Sequence, residues 1–385
     1  MSQRIASLDL IRGVAVLAIL LVNIYAFALP HQAYDTPYWL LGAATEADLW
    51  VYSSQQLFVN NRFVTLFSLL FGAGLALQMQ RMQQDGRNAN KLMQRRLVWL
   101  LVFGLLHGVF IWFGDILTIY ALVGLVIYRW AGKSALWLFK RAAIVYALGC
   151  GIMLLMMALL DLAEVTAVAM SDDPWATLQL TGPGLAEQAG VWTGPYIGQI
   201  YTQALFFSLS LFTSSFGFAW LVVGMMLCGM GLYHHGFFHR GLSGKRIGLL
   251  LVIGLAISLI DLWFNYNAGF LSATSSLSPL PMIAAACMAL AYAALIVRWA
   301  SIGGWLARAF QSAGQLAFTL YLSQSVAMVL LFRWLMPDLW GQLSRLECLA
   351  VVAVYSLVQL VFAVVWRKYC GQGPLERLWR WLVTH

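Results

Sequence analysis

The sequence predicts an all-α polytopic membrane protein with about ten transmembrane helices. Of its 385 residues, 62% are hydrophobic and only 10% are charged, whereas an ordinary soluble domain carries about 25% charged residues. A water-soluble fold of this size could not hide so much apolar surface, because soluble proteins rarely expose large apolar patches. The composition therefore excludes a soluble enzyme, a disordered protein and a secreted disulfide scaffold.

Ten apolar segments approach the roughly 20 residues that a helix needs to cross a bilayer. The first follows Arg4 and resembles a signal peptide, but it carries Asp9 and Arg12 at its base and runs on to Pro30, so we expect an uncleaved helix. The third and fourth segments are joined tightly, and the fourth is short. The predicted spans are 9–29, 56–79, 97–114, 115–131, 138–161, 206–232, 247–266, 281–299, 312–332 and 346–366.

The basic residues sort to one side of this arrangement. Ten spans place both termini and four loops on the same side, and that side holds all but three of the 23 Lys and Arg residues. A missed or extra helix would scramble this alternation. The positive-inside rule therefore predicts cytoplasmic termini, and it accounts for the net charge of +8 without a nucleic-acid partner. The three exceptions are Arg62, Arg333 and Arg345.

The predicted spans form a single transmembrane domain over residues 1–385. We divide it into an N-terminal five-helix part at 1–161 and a C-terminal five-helix part at 204–385. Between them, an extracytoplasmic loop at 162–203 contains four acidic residues and no basic one. A loop of this length is either a lid or acceptor-contacting surface, or a solvated connector.

Polar residues inside the first predicted span are functional candidates, because ionisable groups are costly in a bilayer. Arg12 and Asn23 are eleven positions apart, which puts them on one helix face with about 16 Å between them in depth. Asp9 precedes Arg12 by three residues and is its expected ion-pair partner. The alternative is a pair that only anchors the helix at the membrane interface.

His107 is the only histidine inside a predicted span, and it lies eleven residues beyond Arg96 on the third helix. Gly104 and Gly108 flank it in a GxxxG spacing that lets another helix approach closely. Asp115 follows at the outer turn, where a carboxylate could orient the imidazole as in general-base pairs. The alternative is a histidine that hydrogen-bonds a backbone carbonyl at a tight helix crossing.

Further polar residues project to the outer half of the membrane. Arg62 is expected to pair with Asp115 or Asp261, and Gln324 lies at a similar depth on the ninth span. We expect a single polar cavity there, entered from the cytoplasmic side. The five cysteines have no CxxC or zinc-ligand spacing, so no metal site is predicted.

Several short segments carry a family resemblance. They are Leu8–Gly13 running on to Asn23, Arg62–Phe67 with Phe71–Gly74, Gly104–Gly108 with Gly114–Leu117, and Gly373–Glu376 with Trp379 and Arg380. In this order and spacing, they resemble the YeiB family of bacterial inner-membrane proteins over nearly the whole chain. The resemblance implies a multi-pass protein of the bacterial inner (plasma) membrane, surrounded by the lipid bilayer.

The YeiB family in turn looks like a distant branch of the transmembrane acyltransferases. These include bacterial O-acetylases of surface sugars and the lysosomal heparan-glucosaminide N-acetyltransferase. The likeness rests on Arg12-Gly13, followed eleven positions after the arginine by the polar Asn23. Many O-acetylases have a catalytic His where this chain has Asn23. His107 is then the intramembrane replacement, and His31, in the outer loop, is the other candidate.

The likeness implies an acyl-CoA-dependent acyltransferase that works across the membrane. His107, oriented by Asp115, would deprotonate a hydroxyl or amine of a small-molecule or glycan acceptor from outside. Further groups would have to bind the CoA phosphates and stabilise the oxyanion that forms during transfer. The candidates for substrate binding are Arg12, Arg95 and Arg96 for CoA, Asn23 or Arg62 for the oxyanion, and Asp261 and Gln324 in the cavity.

Two other functions are open at this point. A transporter or channel for a small organic solute would use the polar cavity as its binding site, with His107 and Asp115 as a proton relay. A non-catalytic membrane partner would use its polar side chains only to hold helices together. The sequence leaves a homodimer open, and we expect no tightly bound cofactor beyond acyl-CoA as a donor substrate.

Overall fold

The computed structural model describes residues 5–40, 44–168, 180–270 and 278–384. Within these ranges the chain is almost entirely helical, and the described residues form no β-strand beyond one isolated bridge. The helices are α1 (Ala6–Ala18), α2 (Leu20–Ala28), α3 (Glu46–Phe58), α4 (Arg62–Gln84), α5 (Ala89–Phe110), α6 (Leu117–Ile127), α7 (Ala135–Val168), α8 (Gly182–Trp192), α9 (Tyr196–Ser214), α10 (Phe218–His235), α11 (Phe237–Arg240), α12 (Gly244–Asn267), α13 (Leu280–Ile302), α14 (Trp305–Gln315), α15 (Ala317–Leu330), α16 (Arg345–Tyr369) and α17 (Pro374–Thr384).

The prediction of a polytopic membrane protein is confirmed. Among the described residues, nine helical segments are long and apolar enough to cross a membrane, and Leu117–Trp130 is a shorter apolar helix. The first segment consists of α1 and α2, which meet at Ile19, a residue with α-helical backbone angles. Below, the basic side means the helix ends that carry most lysines and arginines, and the opposite side means the other ends.

Two predicted boundaries are wrong. The sixth span, 206–232, is broken at Gly217, and only α10 is a candidate span, because α9 carries Gln199, Gln203 and several hydroxyl side chains. The predicted loop at 162–203 contains the end of α7, all of α8 and the start of α9. Residues 169–179 of that loop lie outside the described residues.

The bundle is held by two crossings at which backbone meets backbone. Where α4 crosses α10, a Cβ atom on Gly72 would lie 1.9 Å from Met226 O, and one on Gly229 would lie 1.9 Å from Leu69 O. The α1–α14 crossing has the same form, with Gly13 against Phe310 O and Gly314 against Asp9 O, at 1.8 and 1.7 Å. Small residues permit such contacts, which drive helix association in lipid.

The three arginines outside the basic side are all buried: Arg62 is 0%, Arg333 3% and Arg345 2% exposed. Arg345 donates through Nη2 to Ala33 O at 2.5 Å and to Thr36 O at 3.1 Å. The Arg333 guanidinium lies 4.4 Å from the ring centre of Trp192. These exceptions to the positive-inside rule therefore link parts of the fold rather than face solvent.

Replacing Gly72 or Gly229 with Ala should lower the free energy of unfolding by about 1–3 kcal/mol, because the new methyl group overlaps backbone atoms. Titration of the purified protein with SDS in mixed micelles would measure the loss. Gly151 on α7 is the matched control, since no atom lies within 4 Å of its Cβ position. Equal losses at all three positions would contradict the role of the crossing.

Candidate functional site

A cavity of about 260 Å³ opens at the basic side, between α1, α4, α5, α6, α15 and α17. We call it the basic cavity. Its polar end includes Asp9, Arg12, Arg96, Glu376 and Trp379, and its inner end is apolar and aromatic. The inner lining is Phe67, Leu70, Phe71, Leu97, Leu100, Ile116, Leu117, Tyr120, Phe318 and Tyr321.

Arginine groups crowd the polar end of the basic cavity. Arg12 donates to Asp9 Oδ1 at 3.3 Å, so the ion pair expected from the sequence is present. Arg96 stacks on Trp379, with 3.9 Å between its guanidinium carbon and the ring centre. Arg12 and Arg380 both repel the Arg96 charge. Such a cluster of like charges attracts an anion to this end of the cavity.

Glu376 fixes the C-terminal helix α17 beside the basic cavity. Its Oε1 accepts from the amides of Phe318 and Thr319 at 2.9 and 3.0 Å, and its Oε2 accepts from the Thr319 hydroxyl at 2.5 Å. A carboxylate is favoured at this place, the N-terminus of α15. A Cβ on Gly373 would lie 1.9 Å from Glu376 Oε2, so this approach requires glycine.

The neighbouring arginines on α5 have different surroundings. Arg96 lines the basic cavity, whereas Arg95 points to α17 and donates through Nη2 to Leu382 O at 3.4 Å. The structure therefore brings Arg12 and Arg96 together at the cavity but leaves Arg95 outside its lining.

A second cavity, of about 300 Å³, lies toward the opposite side. We call it the polar cavity. Asn23 lines it and accepts from the Tyr34 hydroxyl at 3.2 Å, and Asp261 lines it and accepts from Ser278 Oγ at 3.2 Å and Asn265 Nδ2 at 3.1 Å. Its remaining polar lining is Asp35, Tyr52, Gln56, Asn60 and Asn61.

Asp35 is a polar-cavity residue that the sequence did not single out, because it follows the first span rather than lying inside one. Burial raises the pKa of the Asp35 carboxyl to about 6. The charge of this cavity therefore becomes less negative as the pH falls through about 6.

His107 and Asp115 form a buried hydrogen-bonded pair, with 2.8 Å between Nδ1 and Oδ1. Asp115 Oδ2 accepts from the Thr118 amide at 2.7 Å, at the start of α6. An ionised carboxylate only accepts hydrogen bonds, so Asp115 Oδ1 favours a proton on His107 Nδ1. Nε2 is buried and has no hydrogen-bond partner among the described residues.

The close approach predicted from the GxxxG spacing brings α6 to the His107 helix. A Cβ on Gly104 would lie 2.6 Å from the Thr118 amide nitrogen, so only glycine leaves room for the start of α6. The His107 ring lies 5.4 Å from the ring of Tyr321, which lines the basic cavity. The pair thus sits behind Tyr321, at the inner end of that cavity.

The predicted polar groups do not share one cavity, and that expectation is wrong. Asn23 and Asp261 line the polar cavity, but His107, Asp115, Arg62 and Gln324 line neither cavity. The sequence placed these groups by depth alone, and depth does not fix the direction in which a side chain points.

Arg62 and Gln324 form hydrogen bonds with other parts of the bundle instead. Arg62 donates through Nη1 to Asn60 O at 2.6 Å and through Nη2 to Ser258 Oγ. Its charge attracts that of Asp261, so the expected pairing with Asp261 is present as a charge–charge interaction rather than a hydrogen bond. Gln324 donates through Nε2 to Val16 O at 2.8 Å and to Gln359 Oε1 at 2.9 Å. Both side chains join neighbouring helices.

His31, the other candidate base, lies in the short turn after α2. Its ring packs 5.2 Å from Phe206 of α9, and it lines neither cavity. Its position on the opposite side agrees with the loop location expected from the sequence.

Comparison with known proteins decides the family. The chain is 35% identical to the uncharacterized protein YeiB of Escherichia coli (strain K12) over an alignment of 396 positions, gaps included, which covers 99% of this chain and 96% of that protein. The chain belongs to the YeiB family. Residues 227–385 also match the family model described as a protein of unknown function, DUF418.

Two other relatives of the YeiB-family chain come from Bacillus. It is 26% identical to the uncharacterized protein YxaH of Bacillus subtilis (strain 168), with 98% of this chain and 94% of that protein covered. It is 27% identical to an uncharacterized 39.9 kDa protein encoded in the amylase 3' region of Bacillus acidopullulyticus, with 99% and 94% covered. The similarity therefore extends over nearly the whole of each chain.

Replacing Asp115 with Ala should lower the free energy of unfolding by about 2–4 kcal/mol, because it leaves two buried donors, His107 Nδ1 and the Thr118 amide, without an acceptor. SDS titration in mixed micelles would measure the loss. Asp85, an exposed residue just after α4, is the control, and Asp85→Ala should change stability by less than about 0.5 kcal/mol. A similar loss for both variants would contradict the structural role of Asp115.

Proposed function

We propose that this YeiB-family chain is a membrane-embedded acyltransferase. It moves an acyl group from cytoplasmic acyl-CoA to a hydroxyl or amine of an acceptor that arrives from the opposite side. The observation that carries the proposal is the basic cavity, which has an arginine cluster at one end, an apolar interior, and the His107–Asp115 pair behind its inner end.

The basic cavity suits an amphiphilic anion that binds with its charged part outward. Arg12 and Arg96 favour the phosphate groups of CoA at the polar end, where Arg380 adds to the positive potential. The aromatic interior favours the acyl thioester. Arg96 and His107 are eleven residues apart on α5, about 16 Å along the helix axis, so a flexible chain has to connect the two ends.

His107 is the base of the proposed reaction. Its Nε2 takes the proton of the acceptor hydroxyl or amine while the acceptor atom forms a bond to the thioester carbonyl carbon. The C–S bond then breaks, and CoA leaves as a thiol after it takes up the proton from Nε2. The Asp115 carboxylate, held by Thr118, stabilises the imidazolium during transfer. The Tyr321 ring has to turn away from His107 for this step, while its hydroxyl stays at the inner end of the basic cavity.

The oxyanion and the acceptor use groups from both cavities. The Tyr321 hydroxyl lies at the inner end of the basic cavity, where it accepts from the Ile116 amide at 3.4 Å and can donate its own proton to an oxyanion. Asn23, Asp261 and Asp35 line the polar cavity, which suits an acceptor rich in hydrogen-bonding groups. Arg62 lines neither cavity, so we give it no part in the proposed reaction.

Replacing Arg96 with Gln should weaken CoA binding by about tenfold or more, which corresponds to the loss of about 1.4 kcal/mol or more from a charged hydrogen bond. Isothermal titration of the detergent-purified protein with CoA would measure it. Arg95→Gln is the matched control, because Arg95 has the same charge on the same turn but does not line the cavity. Equal effects at the two positions would contradict the proposed donor site.

Replacing His107 with Asn should lower acyl transfer by about 10²–10⁴-fold, the usual contribution of a general base, and should leave CoA binding unchanged. Transfer from radiolabelled acetyl-CoA to cell-envelope extract would measure activity, and titration with CoA would confirm a folded donor site. His31→Asn, which removes the other candidate base, should retain transfer. Retained transfer in His107→Asn, or its loss in His31→Asn, would overturn the assignment.

A transporter for a small organic solute is the second candidate, and the presence of a cavity at each side of the bundle favours it. The polar cavity would bind the solute, and His107 with Asp115 would carry a proton. Uptake of solutes into proteoliposomes without acyl-CoA would support this function, and acyl transfer without uptake would exclude it.

A further inference from the structure

The basic cavity and the polar cavity approach each other end to end in the middle of the bundle. Ile116 is the one described residue that lines both of them. On α4 only one helical turn separates the linings of the two cavities, since Val64 lines the polar cavity and Phe67 lines the basic cavity. The wall between the cavities is therefore about one side chain thick at this level.

Several contacts fix the position of Ile116. It follows Asp115, whose carboxylate is held by His107 and by the Thr118 amide, and it precedes the first residue of α6. Its own amide donates to the Tyr321 hydroxyl at 3.4 Å. Its neighbour Leu117 lines only the basic cavity. The backbone on both sides of Ile116 is thus anchored, and Ile116 alone among the described residues contacts both spaces.

We propose that the Ile116 side chain is the partition between the two cavities and the residue that limits the size of the transferred acyl group. The partition follows from the two linings and is independent of the reaction. The role in acyl selection rests on the proposed acyltransferase function, because the inner end of the basic cavity is then the acyl site. A short acyl group fits in front of Ile116, whereas a longer one meets its side chain.

The partition also protects the thioester. Water from the polar cavity that reached the acyl site would attack the carbonyl carbon, so that a C–O bond forms, the C–S bond breaks, and the products are a carboxylic acid and CoA thiol. The bulky apolar side chain of Ile116 keeps that water away from the acyl site until an acceptor displaces the side chain.

Cysteine labelling tests the partition without any assumption about catalysis. Val22 lines the polar cavity, and Val22→Cys is placed in a Cys370→Ser background, because Cys370 is the exposed cysteine of the described chain. A membrane-impermeant anionic methanethiosulfonate is added to inside-out or right-side-out vesicles. With Ile116 present, the reagent should label Val22→Cys from the opposite side only.

In the Ile116→Ala protein, labelling from the basic side should rise by about tenfold, which corresponds to a barrier lowered by about 1.4 kcal/mol. Leu117→Ala, one residue away, should leave labelling one-sided. Labelling from the opposite side at the parental rate shows that the variant is folded. If Ile116→Ala does not fold, Ile116→Val should give a smaller increase. Two-sided labelling of the parent, or unchanged labelling of the folded Ile116 variants, overturns the partition.

Acyl selection is tested separately with the same variants. In Ile116→Ala, hydrolysis of acetyl-CoA without acceptor should rise by about tenfold, and hexanoyl-CoA should become a donor, while Ile116→Trp should block transfer and retain CoA binding. If labelling follows the prediction but no variant hydrolyses or transfers an acyl group, the partition stands and the acyltransferase function fails. Active transfer with an unchanged acyl preference would overturn only the selection role of Ile116.

Discussion

The contact of backbone with backbone at four glycines is the constraint on which the rest of this structure depends. Lipid provides no hydrophobic force between helices, so close packing has to hold the bundle together. At the α1–α14 crossing, Gly314 meets the carbonyl of Asp9 itself. The same contact therefore sets the helix spacing and the position of the carboxylate that pairs with Arg12. Packing and the electrostatics of the basic cavity are determined at one place.

Asp115 plays a comparable part at the inner end of the cavity. One carboxylate hydrogen-bonds His107 Nδ1, accepts from the Thr118 amide at the start of α6, and directly precedes Ile116, which lines both cavities. A short helix is sufficient for α6 because its start is buried and capped within the bundle instead of reaching the opposite surface. The local backbone and the chemistry of the site are thus coupled, so a change at Asp115 alters both.

Most of the long helices could be predicted from the sequence, because apolar length is a property of the chain itself. The contact between His107 and Asp115 was also predictable, since it joins residues on either side of one tight turn. The separation into two cavities was not, because it depends on which helix faces meet. Gln324 illustrates the limit: its depth suggested a cavity, and its direction, toward Val16 and Gln359, was set by packing.

Residues outside the spans were missed for a different reason. Asp35 and Glu376 lie in turns and interfacial helices, where carboxylates are ordinary in a sequence and only tertiary contacts make them unusual. Glu376 had one available signal, the Gly373-Pro374 pair before it, since a glycine followed by the first residue of a helix indicates a close approach.

The arginines of this chain lie in two kinds of surroundings, and the electrostatic energies of the two kinds differ. Arg345 and Arg62 are buried with carbonyl and hydroxyl acceptors, which offset the cost of removing a charge from water. Arg12 and Arg96 instead line a cavity with an apolar interior, where Arg12 pairs with Asp9 and the charges of Arg12 and Arg380 both repel that of Arg96. Topology requires basic residues on this side, but it does not require them to converge on one cavity. The Asp9 carboxylate and the Trp379 ring offset part of the repulsion at Arg96, and the arginine charges that remain attract anions to this end of the cavity.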